Sequence, residues 1–280
     1  MSDITESDQS QQHKQRVTGV FNTIADGYSN ASLRFFPFCA DQIVDILRPA
    51  PGSKVLDVAT GTGVVALAFA QAVARGGRVH AIDLSEAMLE RAMANARHQG
   101  LDNIDFFSMD AERPDFRNDY YDLVVCSFGL FFLPDMHHAL RQWKRVCKPG
   151  GKVLFTSFAE TAFQPAMDLF LEQLQAYGVE AGQAVLSSQR LSNPEVCRQL
   201  LVDNGYTEVT LVNRQCGYHL QSLDEYWSFL WNSGSRGMLQ KLDQQRLPDF
   251  KVELLERVKD LFGEKGMWLD VTVNFVCGVA

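Results

Sequence analysis

The chain lacks paired cysteines, an excess of positive charge and any long apolar run. Its six cysteines (Cys39, Cys126, Cys147, Cys197, Cys216 and Cys277) are scattered without a Cys-x-x-Cys pair. That spacing argues against a disulfide framework and a zinc site, so no metal is expected, and it fits a reducing cytoplasm. No uninterrupted hydrophobic stretch approaches the roughly 18 residues of a membrane span. The segment Met1–Gln12 is polar and acidic rather than basic and apolar, which reads as a disordered tail, not a signal peptide. The balance of 26 Lys and Arg against 34 Asp and Glu leaves a net charge of −8 with His neutral. That argues against broad binding to a phosphate backbone, though a local basic pocket stays compatible with it. There is no internal repeat, and no low-complexity segment apart from the tail.

What is present is an ordinary soluble composition, 46% hydrophobic and 21% charged over 280 residues, enough for a full core. Apolar spacing predicts helices over Arg16–Tyr28 and Phe38–Leu47, stopped by Pro49, Pro51 and Gly52. Strands and helices then alternate: strand Lys54–Val58, helix Val64–Ala74, strand Arg78–Ile82, a helix from Ser85 as cap to His98, strand Ile104–Ser108, strand Asp122–Ser127, helix Met136–Cys147 and strand Lys152–Ser157. Right-handed crossovers between such strands give an α/β fold, a doubly wound parallel sheet with helices on both faces. The second half is less regular. Helices are expected over Gln164–Tyr177, Pro194–Asn204, Ser222–Leu242 and Pro248–Phe262. Strands are expected over Glu208–Asn213 and, as one last alternating run, Trp268–Val276.

The chemistry concentrates at Val55–Gly63. An apolar strand carries Asp57, and the turn Gly61-Thr62-Gly63 opens a helix. About 20 residues on, a second apolar run ends in an acid, Asp83, placed to accept both ribose hydroxyls of a nucleoside. The pattern Gly61-x-Gly63-x-x-Ala66 also fits a relaxed dinucleotide fingerprint, so two nucleosides compete. Asp57 lies four residues before Gly61, where its carboxylate repels a pyrophosphate and welcomes a cation. Asp110 adds a third acid after the third strand, making an electronegative crevice. No second mononucleotide half follows. S-adenosyl-L-methionine, with adenosine, sulfonium and ammonium and no phosphate, matches that lining. The plainer alternative is that Asp57 caps the next helix and Asp110 forms a turn.

Several segments together resemble class I S-adenosylmethionine-dependent methyltransferases, nearest the ubiquinone/menaquinone C-methyltransferase group. They are Phe21-Asn22-x-x-Ala25-x-x-Tyr28, Val55-Leu56-Asp57-x-x-x-Gly61-Thr62-Gly63, Asp83-x-Ser85-x-x-Met88-Leu89, Asp110-Ala111-Glu112, Ser127-Phe128-Gly129-Leu130 and Arg145-Val146-Cys147-Lys148-Pro149-Gly150-Gly151. The resemblance covers Val17 to Phe158, about half the chain. It implies a seven-stranded, mostly parallel sheet whose last strand is antiparallel, with an N-terminal helical lid and a C-terminal helical insertion. It implies that Gly61, Thr62 and Gly63 approach the methionyl part, that Asp57 supports its ammonium and that Asp83 holds the ribose. Met88 packs on adenine, Asp110 accepts from its amine, and the Ala111 backbone reaches the ring. Ser127 faces the methyl group and Tyr28 closes over the cofactor. The expected divisions are a tail over 1–15 and one domain over 16–280, with a lid at 16–50, a cofactor core at 51–158 and the remaining sheet and substrate-covering helices at 159–280.

The chain departs from the quinone enzymes at Phe131 and Phe132, at Ser29–Ser32 and in its longer C-terminal part. The quinone therefore does not carry over, and the expected partner is a small apolar or aromatic acceptor, with no nucleic acid and no membrane span. A homodimer is compatible with the sequence. The Phe128–Phe132 cluster has the positional claim on the acceptor pocket. If a base is needed, His137, His138 and His219 are candidates, each more simply read as a surface histidine. The rival functions are a nicotinamide-dependent oxidoreductase and a methyltransferase-fold protein working as a cyclase or regulatory partner. Nucleic-acid methylation is weaker still, for want of an Asn/Asp-Pro-Pro-aromatic motif.

Overall fold

Strands β1 (Lys54–Val58), β2 (Arg78–Asp83) and β3 (Ile104–Ser108) pair in parallel on one side of the sheet. Strands β4 (Tyr121–Ser127) and β5 (Cys147–Phe158) continue it in parallel on the other side of β1. The computed structural model describes residues 6–73, 76–180 and 187–280. The seven-stranded sheet is completed by β6 (Thr207–Gln215) and β10 (Thr272–Val279), in the order β3-β2-β1-β4-β5-β10-β6, with β10 antiparallel to both neighbours. The expected architecture is therefore the one observed. Chain order reverses between β1 and β4, and that reversal opens a crevice beyond the carboxyl ends of the strands.

Local sequence sets the elements that frame the crevice. Helix α3 (Val64–Ala72) follows β1 directly, with Gly63 at its N-cap in the left-handed region. Helix α4 (Glu86–His98) is capped by the Ser85 hydroxyl, which accepts from the Met88 amide, and Glu86 in the first turn favours that end. Helix α5 (Met136–Val146) is capped by Asp135. Its Trp143 is fully buried and donates from Nε1 to the Ala111 carbonyl at 2.8 Å. One side chain thus fills the core and fixes the loop after β3.

Helix α1 (Glu6–Ile24) begins ten residues before the expected start at Arg16. From residue 6 onward the expected tail is helical. Glu, Gln and Lys are good helix formers even without an apolar stripe, and His13 and Lys14 dock this polar segment on the domain. Residues 1–5 lie outside the described residues, as do 74–75, where the α3 expectation ended. Helix α2 (Phe35–Leu47) packs on α3, and α1 packs on α4.

Three expectations in the second half change. Helices α6 (Ala166–Ala176) and α7 (Pro194–Asp203) fall where expected, α7 with Asn193 as its cap. The helix expected over Ser222–Leu242 is broken into α8 (Leu223–Asn232) and a short α9 (Arg236–Leu239), because Ser233-Gly234-Ser235 interrupts it. Helix α10 (Leu247–Val258) stops four residues before the expected end at Phe262, which instead opens a short strand. The Trp268–Val276 run is two strands. Gly266–Leu269 is β9, the centre of a small antiparallel sheet with β7 (Tyr218–Leu220) and β8 (Phe262–Gly263), and Thr272 begins β10. Asp270 makes the break by turning its carboxylate to the Thr272 amide at 3.0 Å and to Gln215 Nε2 at 2.6 Å.

Replacing Trp143 with Ala removes a fully buried indole and leaves the Ala111 carbonyl unpaired. Urea unfolding followed by circular dichroism is expected to show a loss of about 3–5 kcal/mol. A loss below about 1 kcal/mol would contradict this account of the core.

Candidate active site

The crevice between β1 and β4 holds a chamber of about 120 Å³. Of the ten residues the sequence nominates, Tyr28, Asp57, Gly61, Thr62, Asp83, Met88, Ala111 and Ser127 line it. Gly63 and Asp110 do not. The positive φ of Gly63 (84°) suits the turn, but a Cβ there would meet Ala92 Cβ at 3.0 Å. Its smallness therefore serves α3–α4 packing rather than a ligand. Gly61, at φ 54°, faces open space, with only the Tyr28 ring 3.9 Å from where a Cβ would stand.

Asp57 is 1% exposed, and among the described residues it has no cationic partner. Burial pushes its carboxyl up to about 7, against hydrogen bonds from the Thr60 hydroxyl and the Ala66 amide, with Asp83 adding to the rise. The Thr60 bond is 2.5 Å. The Ala66 amide lies in the first turn of α3, so Asp57 caps that helix and also lines the chamber. The two readings offered for it coexist. Asp83 accepts from the Gly61 amide through one oxygen and from the Ser85 amide through the other, both at 2.8 Å. Each oxygen keeps lone-pair capacity for a diol. Burial raises its pKa, against the amides of Ser85, Gly61 and Leu84. Met88 is buried in a small cluster with Ile24 of α1 and Ala25 just beyond it, beside Phe21 and Tyr28.

Asp110 stands behind Lys14, whose ammonium donates to its Oδ2 at 2.7 Å and also pairs with Glu112. The Glu112 amide donates to Asp110 Oδ1 at 2.9 Å, and the Glu112 carboxylate accepts from the Asp135 amide at 2.7 Å. Asp110 is thus a turn former as well as an acceptor. Burial lowers the Lys14 pKa, but the bonds and charges of Asp110 and Glu112 outweigh it, and the net shift is upward. Lys14 lines the chamber, and no motif pointed to it.

A second cavity, of about 540 Å³, adjoins the chamber and shares Phe21, Tyr28, Phe36, Phe128 and Phe132 with it. Nine phenylalanines and Tyr28 line it. Phe128 stacks on Phe158 with centroids 4.3 Å apart, and Phe21 meets Phe132 edge-on at 5.4 Å. Phe128 holds a φ of 55°, uncommon for a bulky residue. Its amide donates to Thr156 Oγ1 at 3.0 Å, which fixes the ring at the junction of the two spaces. The ionisable side chains lining the second cavity are Glu160 and Asp168, with no Lys, Arg or His among the described residues.

None of the three nominated histidines lines either space. His137 Nδ1 bonds Asn204 on the outside of the sheet at 2.9 Å, and His138 sits in the first turn of α5. His219 packs on Trp268 in the small sheet. Each histidine is explained by its neighbours, and none is placed to act as a base on a ligand in these spaces.

A doubly wound sheet with this strand order, and acids where a dinucleotide would put its phosphates, belongs to the class of S-adenosylmethionine-dependent methyltransferases. Within it the chain belongs to the ubiE/COQ5 methyltransferase family, matched over residues 9–181. It is 36% identical over 149 residues to aklanonic acid methyltransferase DauC of Streptomyces sp. (strain C5), covering 53% of this chain and 68% of that one. It is 29% identical over 217 residues to the ubiquinone/menaquinone biosynthesis C-methyltransferase UbiE of Shewanella oneidensis, covering 72% and 86%. Among solved structures, the [4+2]-cyclase SpnF superposes with a TM-score of 0.57 at 16% identity, over 98% of this chain and 96% of that one. A likeness at that identity shows the fold alone.

The raised pKa of Asp57 sets a pH dependence. An acid that ionises near 7 when folded, against an ordinary value of 3.8, binds more protons folded than unfolded between those values. Its contribution to stability therefore falls as pH rises through that window. In the ligand-free protein, this part of the slope is expected to disappear in Asp57→Asn. Affinity for a ligand ammonium at this carboxylate moves the opposite way, weakening up to about tenfold for each pH unit below about 7. Calorimetric titration with S-adenosylhomocysteine from pH 5.5 to 8 measures the affinity, and urea unfolding of the ligand-free protein over the same range measures the stability slope, each on wild type and Asp57→Asn. A pH-independent wild-type affinity would refute the assignment.

Proposed function

We propose that this methyltransferase transfers its methyl group to a small, flat, apolar or aromatic acceptor seated in the phenylalanine-lined cavity. The observation that carries this reading is the shared wall. Five aromatic residues separate, and are common to, the chamber and the larger cavity. A donor in one and an acceptor in the other meet across Phe36 and Phe128.

The donor's chemistry is an activated methyl on a sulfonium, which needs no catalytic metal and no covalent enzyme intermediate. The chain's own groups bind, orient and exclude water. In this reading Asp57 holds the ammonium and Asp83 the ribose diol. Gly61 and Thr62 lie along the methionyl chain, with Met88 and the Ala111 backbone against the adenine ring. Asp110 accepts from the adenine amine, and Ser127 and Tyr28 stand at the methyl end. The residues present fit such a group: Asp57 is a buried acid without a cation, and Asp83 has two oxygens with capacity to spare. Charge is neutralised as the methyl moves, so a dry aromatic enclosure favours the reaction.

The lining also bears on the acceptor. DauC acts on an acid by name, and UbiE serves quinone biosynthesis by name. A carboxylate or phosphate in this cavity would face Glu160 and Asp168 without a compensating cation, which costs affinity. An uncharged ring system suits it better. No histidine stands at the junction, so an acceptor with an acidic phenol, enol or carbon is favoured, and positioning supplies the rest. The six buried free cysteines suit a reducing compartment such as the cytoplasm.

The test is transfer of a labelled methyl group from S-adenosylmethionine to a metabolite extract, with the product identified by mass spectrometry. Tight cofactor binding with no labelled product would favour the cyclase or regulatory alternative. Phe158 lines the acceptor cavity and not the chamber. Phe158→Ala is therefore expected to raise the acceptor KM about tenfold and leave cofactor affinity unchanged. An equal loss in both would place this ring elsewhere.

A further inference from the structure

Resting on the cofactor reading above, we propose that Lys14 is an internal stand-in for the adenine amine, occupying the acceptor at Asp110 until the cofactor displaces it. Three observations converge. Lys14 lines the chamber, Asp110 does not, and the two are joined by the ammonium's bond to the carboxylate. Of the two Asp110 oxygens, Oδ1 takes the Glu112 amide at 2.9 Å and Oδ2 takes Lys14 at 2.7 Å. The oxygen that an amine would seek already holds an N–H donor. Finally, the chamber measures about 120 Å³, below the roughly 300 Å³ at which small-molecule sites begin. The wall that must yield is α1, since Lys14, Val17, Thr18 and Phe21 form one helical face over the chamber.

Glu112 makes the displacement feasible. It is 5% exposed and pairs with the same ammonium, and its carboxylate is fixed in turn by the Asp135 amide. When α1 shifts outward, Lys14 releases Asp110 and stays with Glu112. The move gives up one of two contacts and never leaves a buried acid alone. His13, whose Nε2 meets the Phe132 carbonyl at 2.7 Å, sits one residue away and moves with it. Lys14 thereby couples the arrival of the adenosine to the position of Phe21 and Phe132, the edge-on pair shared by donor and acceptor spaces.

A plug and a structural latch give opposite signs. The full chain is mixed with S-adenosylhomocysteine and the association rate followed by tryptophan fluorescence, for wild type, Lys14→Met and Lys14→Arg. Lys14→Met is expected to associate about tenfold faster and to melt at a lower temperature, with Glu112 left without its ammonium partner. Lys14→Arg stays slow. Equal, slower or weaker binding in Lys14→Met would overturn the proposal and make the lysine a latch. Should that variant not fold, Lys14→Gln is read in its place, and a rate no faster than the wild type's overturns the proposal equally. No binding by the wild type would instead remove the cofactor reading on which the proposal rests.

Discussion

A buried carboxylate sits in the sheet with no cation beside it among the described residues. Asp57 is held there by the Thr60 hydroxyl and the Ala66 amide, which satisfy its lone pairs without neutralising its charge. A second acid, Asp83, follows on the neighbouring strand and is likewise held by backbone amides. Two acids facing one small chamber form a site that phosphate avoids and a cation seeks. The turn, the capped helices and the strand reversal all position these two groups. A zwitterionic, phosphate-free nucleoside relieves the charge, and a dinucleotide would aggravate it.

The aromatic enclosure follows from the same electrostatics. A sulfonium loses its charge as its methyl leaves, so the surroundings of the transferring group should hydrate it poorly and remain close-packed. The ring of Phe128 is placed at the junction by a left-handed backbone conformation, which its bond to Thr156 and its stacking on Phe158 sustain. This strained residue lies in the wall shared by the two spaces, as is usual when geometry matters to a reaction. The family relation names the chemistry, and the lining supports the acceptor proposed above. Glu160 and Asp168 at the cavity rim, without a basic residue among the described lining, separate this pocket from one built for an acid.

What could be read from the sequence was local. Asp57, Gly61 and Asp83 follow from a strand, a turn and a fixed interval to the next strand. Met88 and Ala111 came only through the resemblance to the methyltransferase family. Gly63 was found for the wrong reason, because its neighbour Ala92 lies on another helix and no local rule places it there. The break at Asp270 was hidden because both flanking strands alternate in phase, and only the tertiary bond to Gln215 reveals the change of sheet. Lys14 was invisible for a similar reason. Asp110 lies 96 residues further along the chain, and the polar first half of the helix around Lys14 has no apolar repeat to announce that it is packed.

The helix that looked like a tail therefore carries the part of the site least predictable from motifs. Its first half is polar and docks through contacts of His13 and Lys14 with distant partners, where its second half packs Phe21 and Ile24 against Met88. Apolar packing of this kind holds a helix in place but does not report on what lies beneath it. A charge bridging two acids does, because its energy depends on whether one of those acids has found another donor. The two halves of α1 thus divide the tasks of a lid. The apolar half supplies attachment, and the polar half responds to the ligand.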